Sequence, residues 1–292
     1  MRGTAGTAGK QLSKRLARVV PIGARQRVKK RLPRGWVSWY RTARADVYLV
    51  SFPKCGRTWL RVMVGRAFED HFGVSDERGL VELHRLAELR PGIPCIHATH
   101  DEALLRSAEE FAGSTDRYRD ARVILMARDP RDAFVSLYHH RQGRELHFDG
   151  SLDEFLDEPV GALDSLLAFY DTWADRLADP GQRTHLVRYE DLHADPAGQL
   201  RQVLEFAGVT VAQSVLEDAV RFGSFDNMRQ MEESDALGSD KLRPGKVGDY
   251  STYKTRKGKV GGFRDELTAS QIERLEARIA ASKASRFGYA QP

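Results

Sequence analysis

Val47-Tyr48-Leu49-Val50-Ser51-Phe52-Pro53-Lys54-Cys55-Gly56-Arg57-Thr58-Trp59-Leu60-Arg61 is the stretch that decides how this chain is read. β-prone residues from Val47 run into a Pro-Lys-Cys-Gly-Arg-Thr turn. From Trp59 to Phe72 the apolar residues Trp59, Leu60, Val62, Met63, Val64, Ala67 and Phe68 then recur at helical spacings. The pattern is strand, loop, helix. Such a loop aims backbone N–H groups and the positive end of the helix dipole at one spot, and Lys54, Arg57 and Thr58 add side-chain donors. A phosphate or sulfate group is its natural guest.

The flanking sequence repeats the alternation. Pro94 to Asp101 gives a short strand ending in the polar cluster Thr99-His100-Asp101, followed by a helix through Ala103, Leu104 and Leu105. Arg122 to Ala127 is an apolar run of the kind a buried parallel strand carries. Arg128-Asp129-Pro130 turns it into a helix, with Asp129 suited to the N-cap and Pro130 to the first helical position. A helix is expected over 162–177, a strand over 185–189, and a helix that starts at Asp195-Pro196 and stops at Gly208. Ser224 to Glu233 reads as helix, and 234–262 as one long Gly- and Lys-rich loop, a functional lid or a disordered segment. Thr268 and Gln271 make a capping box for a last helix bearing Ile272, Leu275 and Ile279. Strands alternating with helices predict an α/β fold, a three-layer sandwich around a central parallel sheet, with ligands at the C-terminal ends of its strands.

Composition narrows the class further. The 292 residues, 41% hydrophobic and 30% charged, suit one folded core. Residues 1–45 hold 13 Lys and Arg and no Asp or Glu, so the remainder carries 33 basic against 41 acidic residues. We therefore divide the chain into a basic N-terminal extension, 1–45, and a domain, 46–292. Leu12, Leu16, Val19 and Val20 share a helical face in the extension, which suits either peripheral contact with an anionic membrane or polyanion, or packing on the domain. Two cysteines, no apolar run near the roughly 18 residues of a membrane span and no signal-peptide core point to a soluble cytoplasmic protein. Nucleic acid is not expected as a partner.

Several chemistries compete for the first loop. It lacks the second glycine and the Gly-Lys-[Ser/Thr] ending of a Walker A motif, which disfavours an ATP-dependent kinase. Cys55 and Arg61 match Cys-x5-Arg, the spacing of tyrosine-type phosphatases, and a helix N-terminus would lower the thiol pKa. Bulky Trp59 and Leu60 oppose that reading. A third option is a non-catalytic basic module that binds a nucleotide or a membrane.

The ordered set of motifs resembles the sulfotransferases that use 3′-phosphoadenosine 5′-phosphosulfate (PAPS). Phe52 to Trp59 is similar to that family's 5′-phosphosulfate loop, and Arg128 to Tyr138 to its 3′-phosphate motif. Arg188-Tyr189-Glu190-Asp191-Leu192 and Arg256-Lys257-Gly258-Lys259-Val260-Gly261 are further matches in family order. The resemblance implies the P-loop-like sulfotransferase fold, PAPS as co-substrate, adenosine 3′,5′-bisphosphate (PAP) as product, a hydroxyl-bearing acceptor and no metal. It assigns Lys54, Gly56, Arg57 and Thr58 to the 5′ end, with Trp59 stacking on adenine. Arg128, Ser136, Arg256, Lys257 and Gly258 fall to the 3′-phosphate, Tyr189 and Ser224 to the nucleoside.

His100 follows from the family's Lys-Thr-His segment as the general base, with a near-neutral pKa, and Lys54 as the cation that stabilises the leaving phosphate. His97 is expected to face elsewhere. Three positions depart from the pattern. Ala98 replaces the lysine before Thr-His, Gly262-Phe263 stands for Asp-Trp, and Cys55 replaces a serine, which raises the expectation of oxidation sensitivity. A carbohydrate or glycolipid is the acceptor favoured by the basic extension, with a small metabolite or phenol next. No clear match to the family's short C-terminal dimerisation motif is found.

Overall fold

The computed structural model describes residues 44–289 apart from 102, 112–114 and 144–147, so the expected amphipathic helix of the extension lies outside the described residues. Four strands, β1 (Val47–Ser51), β2 (Ile96–Thr99), β3 (Arg122–Ala127) and β4 (Thr184–Arg188), form one sheet in the order β2-β1-β3-β4. Every pairing is parallel. Val47, Leu49 and Val50 and all of Val123 to Ala127 are buried, as near-continuous apolar runs require when helices cover both faces.

The helix after β1 is α1 (Arg57–Phe72), and that after β3 is α2 (Pro130–Gly143). They are followed by α3 (Leu152–Leu156), α4 (Leu163–Ala178), α5 (Tyr189–Ala194), α6 (Pro196–Phe206), α7 (Gln213–Phe222), α8 (Phe225–Glu233) and α9 (Ala269–Ala280). α1 packs with α6 and α7, while α2 packs with α4 and α9, which gives the three layers.

Helix ends fall where the cap residues place them. The Asp129 carboxylate accepts from the Arg131 N–H at 2.9 Å ahead of Pro130, and the Asp195 carboxylate accepts from the Gly198 N–H at 2.9 Å ahead of Pro196. The Thr268–Gln271 capping box opens α9. The helix expected through Ala103 to Leu105 is only a single 3-10 turn.

The long segment 234–262 contains no strand or α-helix beyond short turns, as expected, yet it is packed. Leu237 and Leu242 join Val62, Leu80, Val81, Met228 and Met231 in a second small apolar cluster against α1. Burying these side chains, at about 1.5–3 kcal/mol each, fixes the segment over the C-terminal end of the sheet.

Candidate functional site

All four strands end at one cavity of about 900 Å³, near the upper end of the usual size for a ligand site. The C-terminal ends of β1, β2, β3 and β4 deliver Lys54, His100, Arg128 and Tyr189 to its wall. The remaining residues named from sequence also line it: Gly56, Arg57, Thr58, Trp59, Ser136, Ser224, Arg256, Lys257 and Gly258.

The first loop is held in an unusual backbone conformation. Lys54 has φ 69° and Gly56 φ 87°, both in the left-handed region. At Gly56 a Cβ would stand 2.5 Å from the Tyr189 ring, so only glycine fits between the loop and the start of α5. Gly258 answers it on the late loop, with φ 62° and a Cβ position 2.7 Å from the Phe225 ring.

Arg128 ties these parts together. Its Nη1 donates to the Lys54 carbonyl at 3.2 Å and its Nη2 to the Lys259 carbonyl at 3.2 Å, while its guanidinium lies 4.4 Å from the centre of the Tyr189 ring. One side chain thereby links the first loop, the late loop and the start of α5. The Phe263 departure is accommodated: its ring is buried under Arg131, 4.7 Å away, and the Asp132 carboxylate accepts the Gly261 and Phe263 N–H groups at 2.8 and 2.9 Å.

Arg256 and Lys257 do not stand alone. Both pair with Glu266, at 2.9 and 2.8 Å, and His139 joins the same carboxylate. Burial opposes the charge on Glu266, but the bonds from Lys257, His139 and Arg256 outweigh it and hold its carboxyl at about 2.

His100 sits beyond β2. Its Nδ1 lies 3.0 Å from the Ser51 carbonyl oxygen and 3.4 Å from the Ser51 hydroxyl. The carbonyl can only accept, so the shorter contact is a hydrogen bond in the tautomer with the proton on Nδ1 and a bare Nε2. Its pKa is not near-neutral as the sequence suggested. Burial, and then the positive charge of Arg57, press it well below the ordinary 6.5, with Arg61 and His140 adding to the effect. The imidazole is therefore neutral at working pH. His97 lies outside the cavity wall, edge-on to Tyr48 at 5.9 Å.

Cys55 reverses the expectation attached to it. It is fully buried, absent from the cavity wall, and set 3.8 Å from the Tyr170 hydroxyl. Burial pushes its thiol up to about 12, the opposite of what a phosphatase nucleophile or a readily oxidised thiol needs. The dipole at the start of α1 does not overcome that desolvation.

Sequence reasoning missed Arg61 and His140 as part of the cavity wall. His140 follows Ser136 by four residues on α2, and Arg61 follows Arg57 by four on α1, so each shares a helical face with a residue already named.

A model of the sulfotransferase domain matches residues 44–288. The chain belongs to the sulfotransferase family. The domain is 24% identical to mouse Sulfotransferase 1A1 over 252 residues, covering 80% of this chain and 83% of that one. It is 25% identical to Cytosolic sulfotransferase 17 of Arabidopsis thaliana, covering 79% and 72%. Its fold is similar to that of mouse sulfotransferase SULT7A1 complexed with PAP, with a TM-score of 0.57 at 22% identity and coverage of 84% and 88%. It is also similar to retinol dehydratase in complex with androsterone and PAP, with a TM-score of 0.57 at 19% identity and coverage of 82% and 80%.

Proposed function

We propose that this sulfotransferase moves a sulfuryl group from PAPS to an acceptor hydroxyl, with His100 as general base. The cavity fits the donor. Arg128 Nε and Arg57 Nη1 are buried without a hydrogen-bond partner among the described residues, and the Gly56 backbone leaves room where any side chain would collide. Lys54, Gly56, Arg57 and Thr58 would hold the 5′ end, and Arg128, Ser136, Arg256, Lys257 and Gly258 the 3′-phosphate. Trp59, Tyr189 and Ser224 would lie along the nucleoside. When bound, PAPS supplies an activated sulfuryl group whose bond to phosphate breaks as the acceptor oxygen bonds to sulfur, leaving PAP.

The chain's own part is positional and protonic. The observation that carries the assignment is the His100–Ser51 hydrogen bond, which leaves a bare Nε2 to take the acceptor's proton. Lys54, fixed in a left-handed backbone conformation at the loop, would meet the charge left on the donor phosphate. Burial, and then the charge of neighbouring Arg57, keep the imidazole neutral between turnovers.

A carbohydrate or glycolipid remains our favoured acceptor scaffold, ahead of a phenol, and residues 1–45 are proposed as a separate basic extension that meets a membrane or polyanion. Incubating the full chain with labelled PAPS and a panel of glycans, glycolipids and phenols tests the reaction. Label transfer to a member of the panel is expected. PAP binding with no transfer to any class would favour the non-catalytic nucleotide-binding reading instead.

A further inference from the structure

The wall around His100 carries a cation that the donor assignment above leaves without a role. Arg61 follows Arg57 by one helical turn on α1, and both line the cavity close enough for their charges to bear on His100. Arg61 is only 4% exposed, and its Nε has no hydrogen-bond partner among the described residues. The carboxylates that attract it, Glu82 and Asp240, act without an ion pair to it among the described residues, and Asp240 is already bonded to Lys241 at 2.8 Å.

The contrast with Arg256 and Lys257, both satisfied by Glu266, is sharp. A buried charged group left without partners is costly, and proteins rarely keep one unless something else completes it. An arginine does not escape by losing its proton. Arg57 makes matters worse, since its charge and that of Arg61 oppose each other. What relieves such a pair is a bound anion, held by guanidinium forks that suit a carboxylate, sulfate or phosphate ester.

Building on the transferase reading above, we propose that the acceptor carries an oxyanion close to the hydroxyl that receives the sulfuryl group, and that Arg61 recognises that oxyanion. Arg61 is then a specificity-determining residue. The cavity wall also carries His140, Lys241, Arg243 and Lys254, with Asp240 its one acidic residue. Lys241 pairs with Asp240 and Arg243 with Asp235, so the lining as a whole is cationic and favours an anionic ligand.

The test uses matched probes on the PAP-loaded full chain. 4-Hydroxybenzoate is compared with 4-hydroxybenzyl alcohol, and a glucuronate-terminated disaccharide with its glucose counterpart, by calorimetry and, with labelled PAPS, by transfer. We expect the acidic member of at least one pair to bind the wild type about tenfold tighter or more, the effect of a charge-assisted contact. Arg61→Gln should shrink that ratio to about twofold, and Arg61→Lys should restore part of it.

Equal binding of acidic and neutral members by the wild type overturns the proposal even if every variant fails to fold. So does an acid preference that survives Arg61→Gln. Weaker PAPS binding than PAP binding in Arg61→Gln, with the acid-to-neutral ratio unchanged, would assign Arg61 to the donor's sulfuryl group and also overturn it. Tight acidic binding without any transfer would leave the oxyanion site standing and sink the transferase reading, whereas transfer to neutral members alone would do the reverse.

Discussion

The two ends of the cavity are both cationic and are built in opposite ways. At the end proposed for the donor, Arg128 commits both Nη atoms to loop carbonyls and its plane to the Tyr189 ring, keeping only Nε unpartnered among the described residues, and Arg256 and Lys257 are paired with Glu266. At the end proposed for the acceptor, Arg61 bears on His100 and retains a buried Nε–H with no partner among the described residues. Internal partners fix a binding surface before its ligand arrives, which suits a ligand that is the same in every turnover. Cations without such partners leave the surface to be completed by the ligand, and their field adds to the burial that keeps the His100 imidazole neutral.

His100→Ala should separate the two ends most widely. Transfer is expected to fall by about 10²- to 10⁴-fold, the usual worth of a general base. PAP affinity measured by calorimetry should stay close to wild type, and a parallel fall in PAP affinity would mean that the two ends are one unit.

Arg128→Ala acts from the other side. It removes the bridge between the first and late loops, and PAP affinity is expected to drop on the order of 10- to 100-fold, the cost of one or two charge-assisted bonds. Gly56→Ala should weaken PAP about tenfold, because a left-handed φ of 87° and a 2.5 Å approach to Tyr189 both oppose a side chain. Unchanged titrations in either variant would remove the donor from this end.

Glu266→Gln probes the internal pairing. The carboxyl titrates at about 2 in the fold against 4.5 ordinarily, so its stabilising effect is full above about pH 4.5 and is lost as pH falls toward 2. At pH 7 the variant should be less stable by roughly 1–3 kcal/mol, a fall of a few degrees in Tm. The gap to wild type should close as the acid limb is descended; a gap independent of pH would mean that Glu266 does not act through its charge. The smallest effect belongs to Cys55→Ser, which lies under neither end: transfer within about twofold of wild type is expected, since the side chain is buried away from the cavity wall and serine is nearly isosteric with it. Loss of activity would revive the thiol.

Much of the donor end was legible because local rules write it. The strand and helix of the first motif follow from periodicity, Asp129-Pro130 and Thr268–Gln271 announce their helix starts, and the glycines of both loops mark left-handed turns. The acceptor end was less legible because it depends on burial that no local pattern encodes. In sequence Arg61 stands out only as the arginine of the rejected Cys-x5-Arg spacing; its burial, 4% exposed on the helix against which Leu237 and Leu242 pack, is visible only in the fold. The same cause reversed the expectation for Cys55, whose helix-terminal position suggested activation while its burial imposes the opposite. Glu266, which organises Arg256, Lys257 and His139, lies downstream of the late motif and carries no signal of its own.

The claim that holds the account together is that His100 presents a bare, neutral Nε2 to the acceptor. Nitrogen-15 chemical shifts of the imidazole across pH 5 to 8 read this directly. The account predicts a protonated Nδ1 and an unprotonated Nε2 throughout the neutral range, with titration only well below 6.5. A proton on Nε2 at pH 7, or a midpoint at or above 6.5, would contradict it.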